Sequence, residues 1–130
     1  MKLHFYQCKV CGKVIAILSE TGVPTICCGE NMEELEVNRT EGFGEKHLPV
    51  PRIEDNTVRV MVGSEAHPMK EEHRIMWIGL ETSQGFQFRE LAPGDRPEAL
   101  FFVNSGDCPE AVFAYCNIHG LWSTEIREQC

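Results

Sequence analysis

The 130-residue sequence has no apolar run approaching the ~18 residues that cross a bilayer, so no membrane span is expected. It is short of positive charge: 12 Lys and Arg stand against 20 Asp and Glu, a formal net charge of −8. A nucleic-acid partner is therefore not expected, because phosphate binding needs a basic surface. The same deficit means that an anionic substrate would be repelled unless a cation is placed locally. The opening residues, Met1-Lys2-Leu3-His4-Phe5-Tyr6-Gln7, lack the apolar segment and small-residue cleavage site of a secretory signal. The expected location is the cytoplasm, where thiols stay reduced. No long helix, internal repeat or low-complexity tract is legible.

What the chain does have is cysteine. Seven cysteines, an odd count, point to metal ligands more than to disulfides in a reducing compartment. Their distribution divides the sequence. Residues 1–36 carry Cys8, Cys11, Cys27 and Cys28 and end in Glu33-Glu34-Leu35-Glu36. A piece this small needs a metal or disulfides to fold. Residues 37–47 are polar and glycine-containing, and read as a linker and loop. From Pro49 onward come short strand-like runs at 57–63, 73–82, 86–91, 99–103, 111–117 and 121–126, separated by turn signals such as Asp55-Asn56 and Pro93-Gly94-Asp95. Phe86 and Phe88 share one face of their run, while Val112, Ala114 and Cys116 face opposite to Phe113 and Tyr115. The fold class expected is all-β: a small metal-binding domain at 1–36, then an antiparallel sandwich of immunoglobulin-like type at 37–130.

Two constellations carry chemistry. Cys8-x2-Cys11 is followed by the adjacent pair Cys27-Cys28, and four thiolates suit a tetrahedral ion. Gly12 and Gly29 give the backbone freedom to curl around the sulfurs. From spacing alone zinc and iron stand level, and adjacent cysteines are the rarer pattern for a second pair. The second constellation is His47, His67, His73 and the turn Cys116-Asn117-Ile118-His119. Any one of these histidines alone would read as a surface or hydrogen-bonded residue, and Cys116 alone as a small buried hydrophobe. Together they make five candidate ligands, more than a structural zinc site takes. One soft thiolate with several imidazoles and an open position suits a redox ion, iron or copper.

A family resemblance follows from particular strings. Glu45-Lys46-His47-Leu48-Pro49-Val50, His67-Pro68-Met69 with His73-Arg74-Ile75-Met76-Trp77-Ile78, Pro93-Gly94-Asp95-Arg96-Pro97-Glu98-Ala99, and Ala114-Tyr115-Cys116-Asn117-Ile118-His119-Gly120-Leu121-Trp122 resemble the superoxide reductases. The N-terminal quartet, with Cys27-Cys28-Gly29 and Met32, resembles desulforedoxin. The chain as a whole is similar to the two-iron form, desulfoferrodoxin. Pro51 departs from the family, which more often continues there with an aliphatic strand residue, and it suits an edge or a bend.

The resemblance implies a one-electron reduction of superoxide to hydrogen peroxide at a non-haem iron. It makes His47, His67, His73 and His119 the equatorial nitrogens and Cys116 the axial thiolate. Glu45 becomes the sixth ligand of the ferric state, and Lys46 the exposed cation beside the open position. Cys8, Cys11, Cys27 and Cys28 would hold a second iron, with zinc also admissible there. The implied partners are superoxide, an external one-electron donor (commonly rubredoxin) and a second copy of the chain in a homodimer. His4, Cys108 and Cys130 match no ligand position. Two readings from other classes compete. A cupredoxin-like electron carrier would use two His, a Cys and an axial Met, but no Met closely follows His119. A zinc-ribbon interaction module would account for 1–36 and leave the five-ligand set as coincidence.

Overall fold

A computed structural model describes residues 2–40, 47–63, 67–127 and 130. The chain divides into two compact units, Lys2–Glu36 and Val37–Cys130.

In the first unit, β1 (His4–Gln7) lies between β2 (Val14–Ile17) and β5 (Glu33–Glu34), and β3 (Ile26–Cys27) pairs with β4 (Glu30–Asn31). Its buried apolar side chains are Leu3, Phe5, Cys8 and Met32. That is a very small core, as expected for a unit of this length. The β3–β4 hairpin turns on Cys28 and Gly29, both at positive φ (54° and 77°). Two such residues in a row make the tight turn whose twist matches its flanking strands.

The second unit contains β6 (Val37–Asn38), β7 (Pro49–Glu54), β8 (Thr57–Val62), β9 (Met69–Lys70), β10 (His73–Thr82), β11 (Phe86–Glu90), β12 (Glu98–Phe102), β13 (Pro109–Cys116) and β14 (Gly120–Glu125). One sheet runs β11-β10-β13-β14-β6 with β9 on β10, and the other runs β12-β8-β7. The core between them is Val58, Val60 and Val62 of β8, Ala99 and Phe101 of β12, Ile75, Ile78 and Leu80 of β10, and Val112, Ala114 and Cys116 of β13. This is the alternation expected of β13; its opposite face stacks Tyr115 on Trp77 (ring centroids 5.8 Å) and sets Phe113 beside Phe86.

Two expectations need correction. The segment expected to be linker begins with a strand, because Val37 and Asn38 pair with Leu121 and Trp122 of β14, and Asn38 Nδ2 donates to the Leu121 carbonyl (3.0 Å). That pairing is parallel, the one departure from antiparallel order among the described residues. Cysteines expected to be ligands or free thiols include a disulfide, Cys108–Cys130. Pro51 lies on a sheet edge, one of the two placements read for it: β7, which contains Pro49 and Pro51, pairs only with β8 among the described residues. The Leu48 carbonyl accepts the Gly63 amide, which sets the even-numbered residues in hydrogen-bonding register with β8. Both prolines therefore turn their donor-less nitrogens to the open side.

Candidate metal centres

The first group forms around the β3–β4 hairpin. Cys27 closes β3 and Cys28 opens the tight turn, so neighbouring residues reach one point from different backbone directions. Cys8 and Cys11 come from the loop after β1, where the Gly12 amide donates to the Cys8 carbonyl (2.9 Å). All four sulfurs lie within 4.8 Å of one another, and Cys11 Sγ is 3.7 Å from Cys27 Sγ. Thiolates ~2.3 Å from a tetrahedral ion stand roughly 3.8 Å apart, so the quartet fits one ion. The charges agree. The Cys11 amide donates to Cys8 Sγ and holds that thiol down to about 7, whereas Cys27, facing the sulfurs of Cys8 and Cys11, is pushed up to about 12. Thiolates this close need a cation among them.

The second group forms at one end of the sandwich. His47 precedes β7, His67 precedes β9, His73 opens β10, Cys116 closes β13 and His119 lies in the β13–β14 turn. Distant parts of the sequence meet because these strand ends share that pole. One ligand atom from each of the five lies within 4.8 Å of the others. Opposite ligands of one ion stand ~4.2 to 4.4 Å apart, which leaves a few tenths of an ångström of slack. His47 Nε2 and His119 Nδ1 are 3.0 Å apart, and two nitrogens at right angles about one ion stand roughly 3.0 Å apart. Cys116 Sγ is 3.8 Å from His119 Nδ1, inside the same limit. Five donors would leave one position open on a six-coordinate ion held there.

Neighbouring bonds aim the ligands. His67 Nδ1 donates to the Pro68 carbonyl (2.8 Å), which leaves Nε2 for the ion. The His119 amide donates to Cys116 Sγ (3.4 Å). A register shift between Ile75 and Trp77 places a bulge at Met76, just beyond His73. Bulges of this kind re-aim side chains beside sites. Cys116 is fully buried and His47 and His67 nearly so, while His119 is exposed. The group is thus seated in the core and open on one side.

Two contributors went unread in the sequence as site residues. Trp122 stacks on His47 (centroids 4.7 Å, planes 13° apart) and its Nε1 donates to the His119 carbonyl. Asn117 ties the ligand turn to the start of β10: its Oδ1 accepts the Arg74 amide (2.9 Å) and its Nδ2 donates to the Glu72 carbonyl (3.0 Å). Both lie inside the motif around Cys116, but His47, Arg74 and Glu72, which they meet, are remote in sequence. Glu45 and Lys46 lie outside the described residues. His4 takes no part in either group and sits 3.3 Å from Glu34 at the surface. Met69, two residues after His67, packs against the hydrophobic core.

Two family models cover this chain: Desulfoferrodoxin at residues 39–125 and Desulfoferrodoxin, N-terminal domain, at residues 1–35. The chain belongs to the desulfoferrodoxin family. A desulfoferrodoxin of Syntrophotalea carbinolica is 42% identical over 124 residues, 95% of this chain and 97% of that one. A superoxide reductase of Pyrococcus horikoshii is 38% identical over 101 residues, covering 65% of this chain and 88% of its own. The crystal structure of the superoxide reductase from Treponema pallidum superposes with a TM-score of 0.82 at 32% identity, over 95% of this chain and 98% of that one. The fold is accordingly a desulforedoxin-like unit followed by an immunoglobulin-like sandwich.

Proposed function

We propose that the protein is a superoxide reductase, which takes superoxide, one electron and two protons to hydrogen peroxide at an iron held by His47, His67, His73, His119 and Cys116. The observation that carries this reading is the meeting of four imidazoles and one buried thiolate at an open pole of the sandwich. Ferrous iron bound there supplies the single electron. The residues do the rest. Imidazoles are neutral and Cys116 brings one negative charge, so the loaded ferrous group keeps a net positive charge that attracts an anion. Four thiolates around a ferrous ion leave a net negative charge and no open position, so the Cys8 quartet is closed to the same substrate. With iron bound, the Cys116 thiolate would push electron density toward it and favour its oxidised state. The amide bond from His119 moderates that push by sharing the sulfur's charge. Exposure at His119 admits a small anion and the water that supplies protons.

Lys46, adjacent in sequence to His47, is the cation that steers superoxide toward an acidic molecule, and Glu45 is the carboxylate that closes the sixth position in the ferric state. Residues 1–36 form an iron domain of desulforedoxin type that passes or stores electrons. The external donor is a small one-electron protein of rubredoxin type. The protein works as a homodimer in the cytoplasm; no helix among the described residues is long and apolar enough to cross a membrane.

The test is anaerobic purification with metal analysis, then superoxide consumption by the reduced protein. Two irons per chain and one peroxide per superoxide, without oxygen release, are expected. Copper in the second group, or equal yields of oxygen and peroxide, would replace this reading with an electron carrier or a dismutase.

A further inference from the structure

Two of the seven cysteines take no part in either metal group. Cys108 immediately precedes β13, and Cys130 is disulfide-bonded to it across 22 residues, Cα to Cα 5.8 Å. Cys116 ends the same strand that Cys108 precedes. At ~3.3 Å per residue the pair lies roughly 25 Å from the group around Cys116, too far to be a ligand or to touch its substrate.

The two partners are held differently. Cys108 is built into the frame. Its amide donates to Asp107 Oδ1 (2.9 Å), which also accepts Ser83 Oγ (2.7 Å) and the Gln84 amide (3.0 Å), and its carbonyl accepts the Ser83 amide (2.9 Å). Cys130 is exposed and belongs to the segment beyond β14. Ile126, the first residue beyond β14, donates its amide to the Glu110 carbonyl (2.9 Å) and packs against the core. Cys130 also borders a hollow of about 430 Å³ lined by Ile53, Val58, Val103 and Pro109 at this pole.

We propose that Cys108 and Cys130 are a redox modification site, oxidised to the disulfide by hydrogen peroxide and reopened by dithiol reductants, which fastens the segment beyond β14 to the start of β13. The source of the oxidant rests on the reading that this protein makes peroxide. The exposed Cys130 thiol attacks the O–O bond and becomes a sulfenic acid as one water leaves. The Cys108 thiol then attacks that sulfur, and the disulfide forms as a second water leaves. The sulfur pair loses two electrons, and peroxide gains two.

The experiment uses the full iron-loaded chain, reduced with dithiothreitol and desalted anaerobically. One portion receives reagent hydrogen peroxide; another turns over superoxide with an electron donor, with or without catalase. Alkylation and peptide mass analysis then read the pair. Expected is a Cys108–Cys130 cross-linked peptide in both portions, suppressed by catalase in the second and reversed by dithiothreitol. The oxidised form should show slower hydrogen exchange at the Ile126 amide and a thermal midpoint higher by about 10 °C. Cys130→Ser should lose both responses and consume superoxide at the unaltered rate. A pair that stays alkylatable in excess peroxide overturns the proposal, as does a disulfide that resists dithiothreitol in the folded protein. Cross-linking by reagent peroxide but not by turnover supports the site and counts instead against peroxide production.

Discussion

His119 does three things at once: its ring nitrogen joins the ligand group, its amide donates to Cys116 Sγ, and its carbonyl accepts Trp122 Nε1. A single turn is therefore responsible for both the imidazole and the charge on the sulfur. Asn117 holds that turn against β10 through two hydrogen bonds. Asn117→Ala should weaken iron binding at the second group by roughly 10- to 100-fold, measured by competition with a chelator, while leaving the Cys8 quartet loaded. Lys46→Ala should lower the bimolecular rate with superoxide roughly tenfold at low salt and flatten its dependence on ionic strength, read by pulse radiolysis. An unaltered rate at low ionic strength removes the steering role.

At the scale of the element, β10 shows how sequence and structure meet. Its bounds, His73–Thr82, are those read from the sequence, because β-branched and aromatic residues run between an acidic turn and the signal at Ser83-Gln84-Gly85. Gly79 in its interior lets Phe86 of β11 lie flat across the strand: a Cβ there would meet the Phe86 ring at 2.5 Å. Gly79→Ala should cost about 1–3 kcal/mol, seen as a lower denaturant midpoint at unchanged slope. β7 was not legible as a strand, because Pro49 and Pro51 argue against one unless the edge position is known, and that position depends on where β8 pairs. β6 is two residues whose strand character comes entirely from β14. The five candidate ligands were legible by type and motif, whereas their meeting at one pole depends on five strand ends and only folding shows it. The Cys108–Cys130 pairing joins segments with no local signal between them, so the cysteine count pointed rightly to metal groups for five cysteines and missed this pair.

At the scale of the whole molecule, the two units rest on different forces. Val37–Cys130 has a two-sheet hydrophobic core, whereas Lys2–Glu36 buries little more than Leu3, Phe5, Cys8 and Met32. Stripping metal from the full chain with a chelator should melt the strands of Lys2–Glu36 and leave the sandwich folded, followed by amide NMR signals assigned to each unit. Retained β1–β5 signals in the stripped protein would show that the small core suffices. The open side of β7 has a further consequence for the protein as a solute. A scavenger of a dilute radical must itself be abundant, and abundance favours self-association through exposed sheet edges. Pro49 and Pro51 remove two donors from that edge, and a net charge of −8 adds mutual repulsion. Pro51→Val should leave superoxide consumption intact yet raise light scattering in concentrated solution, which would make Pro51 a determinant of colloidal behaviour rather than of chemistry.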